Sequence, residues 1–246
     1  MPFTPAHTAI VLPFLRSRYV SATALIIGSI APDFEYFFTM DDKASHGHTL
    51  TGIFYFDIPV TIFLAFVFHR FVKVNLINNL PYFLQRKFYD LKEFDFEDYF
   101  KKHWMIFILS AIIGIGSHLF WDSFTHLNTF IVKNLPIYDT IVPYRGARYP
   151  LYYALQMISS YVGLFIVLIY VLLKKPDKSP ILNEPKIWYW LILVLITGIV
   201  FFLRFYWLPH TLNLVHGVIS GVTGLCIALV IAGRIPFYSS LSKETH

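Results

Sequence analysis

The chain has 246 residues, of which 56% are hydrophobic, 19% aromatic and 14% charged, with a mean hydropathy of +0.57. A soluble globular domain carries about 25% charged residues, so this composition excludes intrinsic disorder and argues against an ordinary soluble enzyme. The net charge of +5 does not indicate a nucleic-acid partner, because Lys and Arg lie between apolar runs rather than in a patch with its own fold. The lone Cys226 excludes an internal disulfide and a Cys-based zinc site.

In chain order, the first apolar region is 4–38, broken by Arg16, Ser17 and Arg18. It reads as a helical hairpin. Thr4 is a good N-cap, Pro5 suits a first helical position, and Pro32 bends or ends the second arm. Five stretches are then long enough to cross a bilayer, which takes about 20 residues. They are 49–68, 104–124, 151–173, 187–208 and 212–232. The expected fold is therefore all-α, a polytopic transmembrane bundle of five full spans plus the hairpin, in one membrane domain over 1–246. Two polar linkers, 71–103 and 174–186, read as solvated or interfacial connectors rather than functional modules. No basic stretch followed by a small-residue cleavage site is visible, so no cleavable signal peptide is expected.

The excess of Lys and Arg in cytoplasmic loops sets orientation. With the Arg16–Arg18 turn inside, fifteen of the twenty Lys and Arg residues face the cytoplasm and four face out; Arg204 lies within a span. The expectation is an inner-membrane protein with linker 71–103 and the C-terminus in the cytoplasm.

Ionisable groups in a bilayer are costly, and their positions point to function. On this topology His7, Asp33, Glu35, His46, His48, His118, Asp122, His126 and His210 gather at the outer end, with His216 one turn inside. Histidine with carboxylate is the ligand set of zinc, manganese or iron. His118 and Asp122 are four apart and share a helix face, so they favour a metal. His126 extends that face by one turn if the helix continues, and is otherwise an interfacial residue. His46-Gly47-His48 offers flexible ligands at a span entrance, and Asp33 follows a proline at a helix end. His69, His103 and His210 read as boundary residues. Asp57 reads as a packing hydrogen bond between helices, and Arg204 as either snorkelling or paired with a carboxylate.

The opening Met1-Pro-Phe-Thr-Pro-Ala-His7, then Gly28-Ser-Ile-Ala-Pro-Asp-Phe-Glu-Tyr-Phe37, then Ser45-His-Gly-His-Thr-Leu50, resembles a bacterial family, the domain of unknown function 4184. The chain more distantly resembles membrane-bound metal-dependent hydrolases, the LexA-binding, inner-membrane-associated hydrolases. There His7 matches an N-terminal histidine, Ala31–Tyr36 a Leu-Pro-Asp-x-Asp-His motif, Gly47–Leu50 the end of a His-Arg-Gly-x-Thr-His-Ser-Leu motif, and Ser117–Asp122 a helical Ser-His-x-x-x-Asp. Glu35 replaces the second aspartate and Tyr36 stands where that pattern has histidine. The third motif lacks its arginine, and His46 lies two residues before His48 rather than five. These hydrolases in turn resemble zinc-dependent phospholipase C in their His/Asp arrangement.

The resemblance and the residues together imply a metal-dependent hydrolase at the outer membrane–water boundary. His7, Asp33, His48, His118 and Asp122 would hold a divalent metal, zinc by preference, as one or two ions. Glu35 or His46 would act as general base or further ligand. Arg145 and Arg148 would either pair with a substrate phosphate or anchor at lipid headgroups. Membrane lipid is the expected partner and an amphipathic or phosphate-containing ester the expected substrate. The alternative is a non-catalytic scaffold or small transporter with a structural metal or polar network.

Overall fold

The computed structural model describes residues 4–43, 45–177, 182–211 and 213–238. Met1 to Phe3 of the opening motif and residue 212, the expected start of the last span, lie outside the described residues, as does part of linker 174–186. Five helices are long and apolar enough to cross a membrane by length and composition: Ile53–Asn79, Phe96–Asp122, Leu151–Leu173, Ile187–Trp207 and Leu214–Ala232. Together with shorter helices and one small hairpin they make the all-α polytopic architecture.

The N-terminal region is more broken than a two-helix hairpin. It comprises 3-10 turns at Thr4–Ile10 and Leu12–Phe14, helix α1 (Ala22–Gly28), a 3-10 turn at Ala31–Asp33 and helix α2 (Phe34–Thr39). Pro13 and Pro32 are the second residues of two of those turns. Proline has no N–H to give to a longer helix, so the chain advances in single turns. Ser21 caps α1 by accepting from the Ala24 amide at 3.4 Å.

The first span begins at Ile53, four residues later than expected, and continues to Asn79. It contains two π-turns, Ile53–Asp57 and Phe68–Val72, around α3 (Ile58–Val67), and ends in α4 (Lys73–Asn79). Apolar patterning misses the α4 end because Asn75, Asn78 and Asn79 are polar, yet each is consumed by hydrogen bonds. Linker 71–103 is accordingly not a bare connector. It holds α4, α5 (Tyr82–Glu93) and the start of α6 (Phe96–Asp122). Glu97 and Asp98 in the first turn of α6 suit a helix N-terminus, and the helix is interrupted at His103 (φ −131°, ψ 29°).

Beyond α6 come α7 (Phe130–Asn134), a 3-10 turn and the antiparallel pair β1 (Ile141–Tyr144) and β2 (Ala147–Pro150). Arg145 (φ 47°) and Gly146 (φ 81°) make the tight connection between the strands. Two-residue hairpins need such left-handed positions. Helix α8 (Leu151–Leu173) has the expected limits; α9 (Ile187–Trp207) and α10 (Leu214–Ala232) differ from expectation by one and two residues.

The chain forms two compact units. The first comprises Met1–Glu35, Ala44–Ala65 and Glu97–Lys174. The second comprises Tyr36–Lys43, Phe66–Phe96 and Lys175–His246. In the first, α1 packs backbone to backbone on α6. A Cβ on Gly28 would meet the Ala111 carbonyl oxygen at 2.7 Å, and one on Gly114 the Leu25 carbonyl oxygen at 2.5 Å. In the second, α9 and α10 pack around Tyr189, Leu193, Ala228 and Ala232. Asn75 donates to the carbonyls of Ala232, Gly233 and Ile235, satisfying the C-terminal end of α10.

Candidate metal centre

Within the first unit, separate stretches of chain bring imidazoles and carboxylates together. His7 lies in the Thr4–Ile10 turn, which Thr8 steadies through a 2.7 Å bond to the Pro5 carbonyl. Asp33 ends the Ala31–Asp33 turn. His48 lies on the loop before the first span, and His118 and Asp122 occupy the last two turns of α6. His7, Asp33, His118 and Asp122 are each at most 4% exposed.

Four donor atoms form the centre of this group: His48 Nε2, His118 Nε2, Asp33 Oδ1 and Asp122 Oδ2. His48 lies 3.4 Å from Asp33 and 3.5 Å from Asp122, His118 lies 3.7 and 3.3 Å from the same two, and the imidazoles are 3.4 Å apart. Ligands about 2.1 Å from a tetrahedral ion are about 3.4 Å from each other. These separations match the edge lengths of a metal's coordination shell; His48, His118 and Asp122 form one group that could hold a metal ion, and His7, Asp33 and His118 another.

The His118 ring is oriented from behind. Its Nδ1 lies 2.9 Å from the Ser29 carbonyl oxygen. A carbonyl only accepts, so Nδ1 carries the hydrogen and the Nε2 lone pair is left for the centre, the arrangement usual for a metal-bound histidine. His7 stacks on His118 with ring centroids 3.9 Å apart. Burial, then repulsion from His118, drives the His7 imidazole down to about 4, so it is neutral at pH 7. For His48, burial works against the charge, but hydrogen bonds to Asp122 and Asp33 prevail and push it up to about 10. An ion entering the centre displaces that proton.

Glu35 does not join these donors. Its carboxylate accepts the amides of Ser45 (2.7 Å), His46 (2.9 Å) and Gly47 (2.8 Å), and the Ser45 hydroxyl at 3.2 Å. Burial opposes its charge, yet the amides of Gly47, Ser45 and His46 hold the carboxyl below its ordinary range. Glu35 thus ties down the loop that carries His48. Gly47 allows the loop to lie close: a Cβ there would meet the Pro32 carbonyl oxygen at 2.5 Å and Asp57 Oδ1 at 3.2 Å.

The other residues singled out from sequence fall elsewhere. His46 is exposed, with Nδ1 2.9 Å from the Tyr55 hydroxyl. Arg145 and Arg148 are exposed on the β1–β2 hairpin, Arg145 over the Tyr144 ring. His69 is buried and stacked on Phe96, and exposed His103 stacks on Tyr99. Tyr36 belongs to the second unit. Asp57 is fully buried, but among the described residues neither oxygen has a hydrogen-bond donor, so the expected helix-packing bond is not seen there. Arg204 pairs with no carboxylate among the described residues; its Nη2 donates to the Met40 carbonyl. In the second unit Asp41, Asp42 and His216 also approach one another, but the two acids are not buried and His216 is held by Asn213.

Two residues join the neighbourhood that sequence reasoning left open or missed. His126 Nδ1 lies 3.4 Å from Asp122 Oδ1. The His126 amide still donates to the Asp122 carbonyl at 3.1 Å, so the helical pitch outlasts α6 by a turn. Gln156 of α8 is buried, with Nε2 3.5 Å from His126 Nε2. A buried glutamine in an apolar span was the available signal.

No curated protein and no solved structure matches the chain. The sequence profile of one family, described as a domain of unknown function (DUF4184), matches residues 1–234, and the chain belongs to that family.

Proposed function

We propose that this protein is a membrane-embedded, metal-dependent hydrolase of phospholipid-like or other amphipathic esters. The observation that supports this reading is the set of 3.3–3.7 Å spacings among His48, His118, Asp33 and Asp122. Hydrogen bonding alone does not call for two imidazoles that each stand 3.3–3.7 Å from the same two carboxylates; a shared ion does. Zinc suits the mixed nitrogen and oxygen donors. A bound divalent ion supplies a Lewis acid and a water that ionises near pH 7.

This chain's residues have separate tasks in that reading. His118 and Asp122 hold the ion from α6, Asp33 from the Ala31–Asp33 turn, and His48 from the loop that Glu35 anchors. His7 closes the buried side. His48 is 23% exposed through its side chain, whereas His118 and Asp33 are 0% and 1% exposed. The edge at His48 is therefore where a substrate reaches the centre. Arg145 and Arg148 offer guanidinium groups to an anionic headgroup.

One observation favours a second reading. Four protein donors are enough to close a structural zinc site, which would make the protein a non-catalytic scaffold. Elemental analysis of detergent-purified protein tests the common part of both. Zinc, manganese or iron is expected in the wild type and absent from His118→Ala, with helix content unchanged. Equal metal content in the two proteins would sink the metal reading. A screen of phosphate and acyl esters then separates enzyme from scaffold, because only the enzyme turns over an ester in a metal-dependent way.

A further inference from the structure

His216 stands in the first turn of α10 and is 9% exposed. The Asn213 Oδ1 that accepts its backbone amide at 2.9 Å also lies 3.1 Å from its Nδ1. An amide oxygen only accepts, so the hydrogen is on Nδ1 and Nε2 presents a lone pair. Among the described residues Nε2 makes no hydrogen bond, and it faces Asp41 Oδ1 at 3.8 Å. A charged imidazole bonded to a carboxylate closes to about 2.7–2.9 Å. The wider gap is one that two ligands of a single ion, each about 2.1 Å from it, can span. Asp42 supplies a third donor atom, within 4.8 Å of the other two, and rotation of its exposed side chain brings it closer. The loop bearing both acids is held in place. Thr223 of α10 donates to the Phe37 carbonyl at 2.9 Å, and Arg204 of α9 to the Met40 carbonyl at 3.1 Å. The Asp42 amide orients the Asp41 carboxylate by donating to Oδ1 at 2.7 Å.

We propose that Asp41, Asp42 and His216 form an open site for a divalent cation of the zinc class, which ties the loop after α2 to the first turn of α10. The site shares no residue with the buried centre of the first unit and does not depend on the metal reading of that centre. Its imidazole selects zinc or a neighbouring transition metal over magnesium and calcium, which take oxygen ligands. The two acids are not buried, so water completes the shell and the ion exchanges with solution. Their two negative charges outweigh the roughly half positive charge at the start of α10. Lys43, next in the chain, is exposed and holds its ammonium in water.

The test is a zinc titration of tag-free, full-length protein in detergent, followed by calorimetry. One exchangeable zinc per chain is expected at this site, and His118→Ala, which disables the buried centre, is expected to retain it. Loss of an outer-shell partner alone weakens metal binding about 10–100-fold. Asp42→Asn and His216→Gln, which each remove a donor, should weaken this zinc at least about tenfold. Asp139→Asn, at an exposed carboxylate of the first unit, should leave it unchanged. Asp42→Asn decides the matter if His216→Gln fails to fold, because Asp42 is exposed. Equal zinc affinity in Asp42→Asn and wild type would overturn the proposal, as would the same weakening in Asp139→Asn. Disappearance of all zinc binding from a folded His118→Ala would also overturn it and leave the buried centre standing. Zinc lost only with Asp42 and His216, and not with His118, would support this site and sink the buried one.

Discussion

Glu35 shows how a residue outside the donor set can control it. Its carboxylate is the acceptor for three consecutive amides, Ser45 to Gly47, and the next residue is His48. Glu35→Ala leaves these N–H groups without their acceptor, a cost of about 2–4 kcal/mol. A lower thermal midpoint and reduced metal content are expected, because the loop no longer presents His48. The pH dependence has a definite sign. The folded-state value is depressed, so the stabilisation is present in full above the ordinary carboxylate range and is lost as pH falls through the lower, folded value. Acid unfolding of Glu35→Gln should therefore be shallower than that of the wild type; identical curves would remove Glu35 from this role. The contrast with His118 and Asp122 explains what the sequence could reveal. Those two are four apart on one helix, a local relation that spacing alone exposes. The tie from Glu35 to 45–47 spans ten or more residues, and nothing in the residue types distinguishes a loop acceptor from a general base.

At the scale of elements, the centre depends on how closely α1 approaches α6. α1 leads into the turn bearing Asp33, and α6 carries His118 and Asp122, so their spacing sets distances among the donors. Gly28 and Gly114 are what let the two backbones touch. Small residues at helix contacts serve the same purpose in membrane bundles generally. Gly114→Val is expected to cost about 1–3 kcal/mol through overpacking and to release metal without touching any donor. Retained metal with wild-type thermal stability would show that α1 does not set the donor spacing. Long apolar helices were legible because composition over 20 residues averages out local detail: α8 was placed to the residue. The N-terminal region was not, because its prolines and short turns replace periodicity with single-turn geometry. The polar end of the first span was missed for another reason. Asn75, Asn78 and Asn79 look like a linker until their partners far along the chain are known.

For the whole molecule, chain direction places the donors at one end of the membrane-crossing helices. His48 precedes the first span by five residues, and Asp122 is the last residue of the second. Two successive spans run out and back, so the entry to the first and the exit from the second lie on one side. The entry to α8 lies there too, which brings the hairpin with Arg145 and Arg148 to that side. The opposite ends of these spans adjoin the Lys- and Arg-rich segments 70–102 and 174–186, where eleven of the twenty basic residues are found. The positive-inside rule predicts that the donors lie on the outer face. A Cys226→Ser background allows this to be tested with single cysteines. Ser45→Cys, beside the centre, is expected to react with a membrane-impermeant maleimide in intact cells. Lys92→Cys, on α5, is expected to react only after permeabilisation. The reverse pattern would turn the centre toward the cytoplasm, and its substrate would then have to come from the inner leaflet or the cytosol.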